Sequence, residues 1–285
     1  MAPELIRPGR FFRVRLRFSR GVITIAIIVV VLAVGVSVGL YLLLKRAKPL
    51  VLPEAYCALR TPEGALSLDP EQAQISATIA AVAARRRLPE RAVVIAYGTA
   101  LQESKLRNLD WGDRDSVGVF QQRESQGWGR KKQLMDPVYA TNKFFAALVK
   151  VKNYRKLPLA EAAQAVQRSA GGYAYAQHEQ DAKILAAAFT GRVPKAVDCW
   201  YPPGKQTPEP QARTAEARKQ LARALGDTTI TTKKRGWLVA SWSVAHAEKF
   251  RLRRVGYSGA TWVNAVDADG WKKAGQAGDA EVELS

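Results

Sequence analysis

One acid stands out by its surroundings. From Ala92 to Gln102 the chain carries no charged residue, and Glu103 ends that run just before Ser104, Lys105 and Arg107. At 100° per residue Ala92, Ala96, Thr99 and Ala100 share the side of Glu103, while Val94, Tyr97 and Leu101 cover the opposite side. A helix apolar around its whole circumference is a core helix, so the acid at its end is expected to be partly shielded from water. Shielding and the negative end of the helix dipole both favour the protonated carboxyl, the form general-acid chemistry needs. The plainer alternative is a helix-end acid paired with Lys105 or Arg107 in solvent.

A second motif follows closely, Ser116-Val-Gly-Val-Phe-Gln121. Together with Gln102-Glu103-Ser104 it resembles the E-S and G-L-x-Q motifs of lysozyme-like lytic transglycosylases and goose-type lysozymes, over roughly Asp69 to Gly191. The resemblance implies a mainly helical lysozyme-like domain with one small β-hairpin. It also implies Glu103 as general acid on the MurNAc–GlcNAc linkage of peptidoglycan, with Gln121 touching sugar; the alternative for Gln121 is an amide that knits the hairpin. Ser104 either orients Glu103 or ends its helix.

Two chemical routes stay open. An inverting hydrolase needs a second carboxylate about 6.5–9.5 Å away to hold water, and Asp110, Asp113 and Asp115 in the following loop are the candidates. Three acids so close together also suit a solvated turn. In lytic transglycosylases, the resemblance implies, the substrate's own 6-hydroxyl attacks and an anhydro sugar forms, so no second carboxylate is required. Phe120, Trp111, Trp128, Tyr173 and Tyr175 are the aromatics expected in the glycan groove, where rings pack flat against pyranose faces. One departure from the pattern is plain: where these enzymes carry A-Y-N-A-G, Gln167-Arg-Ser-Ala-Gly171 keeps the small pair but lacks Tyr-Asn. Tyr173 or Tyr175 would then supply the aromatic. His178-Glu179 has no second histidine four residues on and reads as helix surface rather than a zinc motif. Calcium-loop ligand spacing is absent too, so neither metal nor cofactor is expected.

Helices must hold these groups in place. Asp69-Pro70 is a capping acid followed by proline at the first helical position, opening a helix to Arg87; the core helix runs from Pro89 to about Leu106. Asn108–Gly129 alternates around Val117 and Val119 as a loop with a small hairpin. Asp136-Pro137 opens a helix to about Val151, and Pro158–Ala170 and Tyr173–Phe189 are two more, parted by Gly171-Gly172.

The N-terminus decides the compartment. Residues 1–20 hold six arginines and one acid, and Gly21–Leu44 holds no charge. Those 24 residues make about 36 Å of helix, enough to cross a hydrocarbon core of about 30 Å. Lys45, Arg46 and Lys48 are outnumbered by the preceding arginines, which keeps the N-terminus cytoplasmic and the remainder outside. A cleaved signal peptide has a shorter apolar region, so a retained single-pass anchor is the reading. Lys plus Arg number 44 against 25 acids, a net charge of +19. Outside the cell such charge meets membrane, peptidoglycan and wall polyanions rather than nucleic acid. Residues 45–56 form a linker, and Cys57 and Cys199, the only cysteines, are expected to bridge across the whole domain at 57–200.

A proline-rich boundary at 201–210 precedes an expected separate α+β module at 211–285. It comprises a helix from Ala212 to Leu225, a short strand at Thr228–Thr232, a segment from Trp237 to Phe250 that fits helix or strand, and a hairpin turning at Ser258-Gly259. Arg251, Arg253 and Arg254 there read as a solvated face. The overall expectation is a membrane-anchored peptidoglycan glycosidase, with cell-wall assembly proteins as partners that restrain it. The alternative is a non-catalytic wall-binding scaffold. A transporter is disfavoured by the single span and the lack of Cys/His clusters.

Overall fold

The computed structural model describes residues 19–46, 54–167, 172–202, 211–264, 270–275 and 277–285. The chain divides into two units, Met1–Leu52 and Pro53–Ser285. In the first, α1 (Arg20–Arg46) is one uninterrupted helix. Its stretch Arg20–Leu42 is long and apolar enough to cross a membrane and is unburied by protein.

The second unit is α-rich with three small sheets. It opens with β1 (Tyr56–Thr61) and β2 (Gly64–Leu68), a hairpin the sequence reading passed over. Then come α2 (Pro70–Arg85) and α3 (Glu90–Ser104), the short pair β3 (Ser116–Val117) and β4 (Gln122–Arg123), α4 (Lys131–Leu134), α5 (Pro137–Leu148) and α6 (Leu159–Gln167). A 3-10 helix over Gly172–His178 leads into α7 (Glu179–Phe189), so the start expected to be α-helical at Tyr173 is wound more tightly. β5 (Val197–Trp200) adds to β1, giving the order β2-β1-β5.

Local chemistry explains the boundaries. Asp69 caps α2 in a capping box, accepting from the Gln72 backbone N–H while Gln72 Oε1 accepts from Asp69 N–H, with Pro70 at the first helical position. α3 ends where Lys105 turns left-handed at φ 54°; the Lys105 and Leu106 N–H groups donate to Leu101 and Ala100 carbonyls, and Leu106 is buried beneath the turn. α3 packs against α2, α6 and α7. Val93, Ile95 and Tyr97 on it are buried, each large apolar side chain contributing about 2 kcal/mol. The Tyr97 hydroxyl donates to the Ser76 carbonyl at 2.8 Å.

The chain after residue 210 is not a separate module. α8 (Thr214–Leu225) and α9 (Lys233–Ala245) pack on α2, and one continuous hydrophobic core includes Ile79, Leu221, Trp242 and Trp262. Trp237 to Phe250 resolves as helix, α9 followed by α10 (Ala247–Phe250). The expected strand at Thr228–Thr232 is an irregular connection, where Asp227 accepts from Thr229 N–H and hydroxyl and so competes with any ladder. The hairpin is as expected: β6 (Arg254–Tyr257) pairs with β7 (Ala260–Val263), flanked by β8 (Lys272–Lys273) and β9 (Glu283–Leu284) in the order β8-β7-β6-β9. Stitching to β5 makes the unit single: Trp262 Nε1 donates to Asp198 and Trp271 Nε1 to the Val197 carbonyl. The Tyr201 hydroxyl donates to Val244 and Ala245 carbonyls.

Cys57 and Cys199 are direct cross-strand partners in β1 and β5 and form the expected disulfide.

Candidate active site

Glu103 sits in the last turn of α3, half-buried. Its Oε1 accepts a hydrogen bond of 2.6 Å from the Tyr175 hydroxyl. Neither Lys105 nor Arg107 pairs with it. Arg107 turns instead to Asp69 and Glu71 at the start of α2, and Glu103 makes no ion pair among the described residues. The solvent-paired alternative is thereby set aside. Tyr175 lies in the 3-10 helix and is 1% exposed, so the expectation that it stacks on sugar is corrected: it is spent beneath the acid.

The 3-10 helix is itself clamped to α3. Gln102 Oε1 accepts from Gln177 Nε2 at 3.2 Å and bonds His178 Nε2 at 3.0 Å. Burial holds the His178 imidazole below its usual value, opposed by the Asp181 carboxylate. His178 is therefore a partly buried tie rather than helix surface, whereas Glu179 pairs with Arg91 and Lys183. Two neighbouring residues of α3 thus grip one segment, which fixes where the phenol meets the carboxyl.

From the other side the β3–β4 hairpin docks on the end of α3. The Ser104 hydroxyl donates to the Val119 carbonyl at 2.8 Å and to Ala100 at 3.2 Å, and accepts from Arg107 N–H. Ser104 both ends the helix and holds the hairpin. Below, α2 fastens the same end: Gln72 Nε2 donates to the Lys105 carbonyl, and Asn108 N–H donates to Glu71.

The motif residues Gly118, Phe120 and Gln121 now have distinct physical duties. Gly118 has φ +78°, and a Cβ there would come within 2.6 Å of the Leu134 carbonyl oxygen, so the turn approaches α4 only because that position lacks a side chain. Phe120 is fully buried and stacks on Phe144 with centroids 4.4 Å apart. It is a core residue and not part of a sugar-binding surface, a correction made by packing that its spacing did not reveal. Gln121 is left-handed at φ 45°. Its Nε2 donates to the Gly118 carbonyl at 3.2 Å and more loosely to that of Trp111 at 3.4 Å. Gln121 therefore knits the hairpin to the preceding loop.

That loop presents Trp111, 69% exposed. Asp110 and Asp113 are exposed, and neither carboxylate has a partner among the described residues. Asp115 is committed: it accepts from Arg123 Nε at 2.7 Å and from the Ser125 N–H and hydroxyl. The Ser125 N–H first, and the Arg123 guanidinium second, hold its carboxyl well below the usual range. Asp110, Trp111 and Asp115 line a cleft of 340 Å³ that Glu103 does not line. Trp128 is half-buried and lines a second groove. The Tyr173 side chain and residues 168–171, the counterpart of A-Y-N-A-G, lie outside the described residues.

Sequence reasoning missed Gln102 and Gln177 as clamps and Gln167, whose Nε2 donates to the Phe120 carbonyl at 2.7 Å. Nothing local marks such contacts, since they join residues 47 to 76 positions apart. Among the described residues no three His, Cys, Asp or Glu side chains group to hold a metal. No protein-family model matches the chain, and no curated protein matches it significantly.

Proposed function

We propose that this protein is a membrane-anchored, outward-facing peptidoglycan glycosidase of lysozyme-like type, with Glu103 as its acid. The observation that carries the reading is the pairing of a half-buried carboxyl, free of ion pairs among the described residues, with a buried tyrosine hydroxyl. That carboxyl stands at a helix end braced by the hairpin, the 3-10 helix and α2. A group meant to exchange a proton with substrate needs a fixed direction and no permanent counter-ion, and among the described residues this arrangement supplies both.

In the proposed reaction Glu103 gives its proton to the glycosidic oxygen between MurNAc and GlcNAc as the C–O bond breaks. Its carboxylate then takes a proton from the hydroxyl that attacks the anomeric carbon. Tyr175 positions the carboxyl throughout. Of the loop acids, Asp115 is a poor water-holder because Arg123 and Ser125 occupy it. Asp110 and Asp113 carry no partner among the described residues; we take the intramolecular 6-hydroxyl route, with an anhydro product, because it needs no second carboxylate. Exposed Trp111 is available to stack on sugar. The α1 helix serves as the anchor, and the arginine excess before it points the N-terminus to the cytoplasm.

The test is direct. The full chain in detergent, oxidised, is incubated with purified peptidoglycan beside Glu103→Gln, and products are read by mass spectrometry. Anhydro-muropeptides that vanish with Glu103→Gln are the expected result. Reducing ends that depend on Glu103 would redirect the assignment to a muramidase. Glycan binding by both proteins with release by neither would leave a wall-binding scaffold.

A further inference from the structure

A second groove, 660 Å³ in volume, opens beside the hairpin and is lined by Gln126, Trp128, Lys143, Lys150 and Gln167 among others. Its electrostatics set it apart. Between Asp136 and Glu161 the chain carries five cations, Lys143, Lys150, Lys152, Arg155 and Lys156, and no acid. Lys150, Lys152, Arg155 and Lys156 are exposed. The Lys143 ammonium lies 5.4 Å from the centroid of the Tyr139 ring, and none of the five joins an ion pair among the described residues. Elsewhere on this unit many cations are neutralised in place, as Arg107, Arg123, Arg192 and Arg223 are by their carboxylates. Two of the five, Lys143 and Lys150, line the groove itself, and positive charge left unmatched in a concavity raises the local concentration of anions.

The groove offers more than charge. Trp128 brings an indole packed against the core, and Gln126 and Gln167 bring amides. An aromatic face with amides and ammonium groups suits a sugar ring bearing an acidic substituent better than a bare anion. Gln167 also ties the groove to the site above: its amide donates to Phe120, the neighbour of Gln121 in the hairpin that docks on the end of α3. We propose that this groove is an accessory binding site for a carboxylate-bearing glycan strand. Trp128 takes the sugar ring and Lys143 and Lys150 take the carboxylate. The proposal rests on the reading of Glu103 as a glycan-cleaving acid and narrows its substrate to strands with free acidic groups.

Two readouts keep the claims apart. Affinity of the full chain in detergent is measured for soluble peptidoglycan strands with free stem-peptide carboxylates and for the same strands with those carboxylates converted to amides. Turnover is measured separately. Lys143→Gln/Lys150→Gln is expected to raise Kd for the carboxylate strands about tenfold at low salt and to leave the amidated strands unchanged, since two solvent-facing charge pairs are lost. Trp128→Leu is expected to weaken both kinds of strand alike. A lysine variant that shifts Kd less than twofold on carboxylate strands, or equally on both, overturns the proposal. Cleavage that persists in Glu103→Gln while the Kd pattern holds would sink the catalytic reading alone. Glu103-dependent cleavage with an unresponsive Kd would sink the groove alone.

Discussion

Tyr175→Phe isolates the contact on which the proposed chemistry depends. The phenol hydroxyl lies 2.6 Å from Glu103 Oε1, and the ring is 1% exposed. Removing only the hydroxyl leaves the ring packed and deprives the carboxyl of its one side-chain donor among the described residues. A hydrogen bond to an ionisable group is worth about 1.5–3 kcal/mol. If that bond holds the acid in its reactive direction, kcat should fall about 10- to 100-fold. KM should stay within about twofold, because a buried ring has no surface to offer the glycan. Initial rates on soluble glycan strands, with the folded fraction checked by near-UV circular dichroism, measure this. A double variant sharpens the result: Tyr175→Phe placed on Glu103→Gln should cost nothing further, as two residues acting through one contact are not additive. An unchanged kcat in the single variant, or a multiplicative loss in the double, would refute the positioning role and leave Tyr175 as a packing residue.

Two further predictions concern the frame. The bridge between Cys57 and Cys199 closes a separation of 142 residues, for which the chain-entropy relation gives about 5 kcal/mol. Cys57→Ser/Cys199→Ser, or reduction, should therefore lower the melting temperature markedly, and a melting curve indifferent to reductant would contradict this. His246 is fully buried on Trp242, and burial first, with the Lys249 charge adding to it, pushes its imidazole from 6.5 down to about 3 against the pull of the Trp242 carbonyl. The unfolded chain then takes up a proton near pH 6.5 that the folded chain refuses. Stability is lost as pH falls from there toward 3, by up to ~1.4 kcal/mol per unit. His246→Gln should flatten the unfolding free energy between about pH 6.5 and 4.5, above the range where carboxylates titrate; parallel slopes in urea denaturation would rule the mechanism out.

Much of the frame was legible because its causes are local. The capping box at Asp69, the proline openings at Pro70 and Pro137, the uncharged run that becomes α1 and the apolar circumference of α3 follow from residues within a few positions of each other. The cysteine pair was also readable, from a chain expected to face outward with only two thiols. The hairpin at β1–β2 was not, since its few residues alternate weakly and its partner β5 lies far along the chain.

The sequence by itself determined that Glu103 would end a buried helix and that a loop with a small hairpin would follow it, because helical periodicity and short-range alternation act between residues a few positions apart. Tertiary structure alone decided what surrounds the acid. Tyr175, 72 positions away, is indistinguishable in sequence from a surface tyrosine, and Phe120 looked as available to sugar as Trp111. Packing set Tyr175 under the carboxyl, drew Phe120 against Phe144 and left Trp111 in solvent. A side chain's chemistry is written in its type, but its exposure depends on what long-range contacts bury, and only the folded chain makes those contacts.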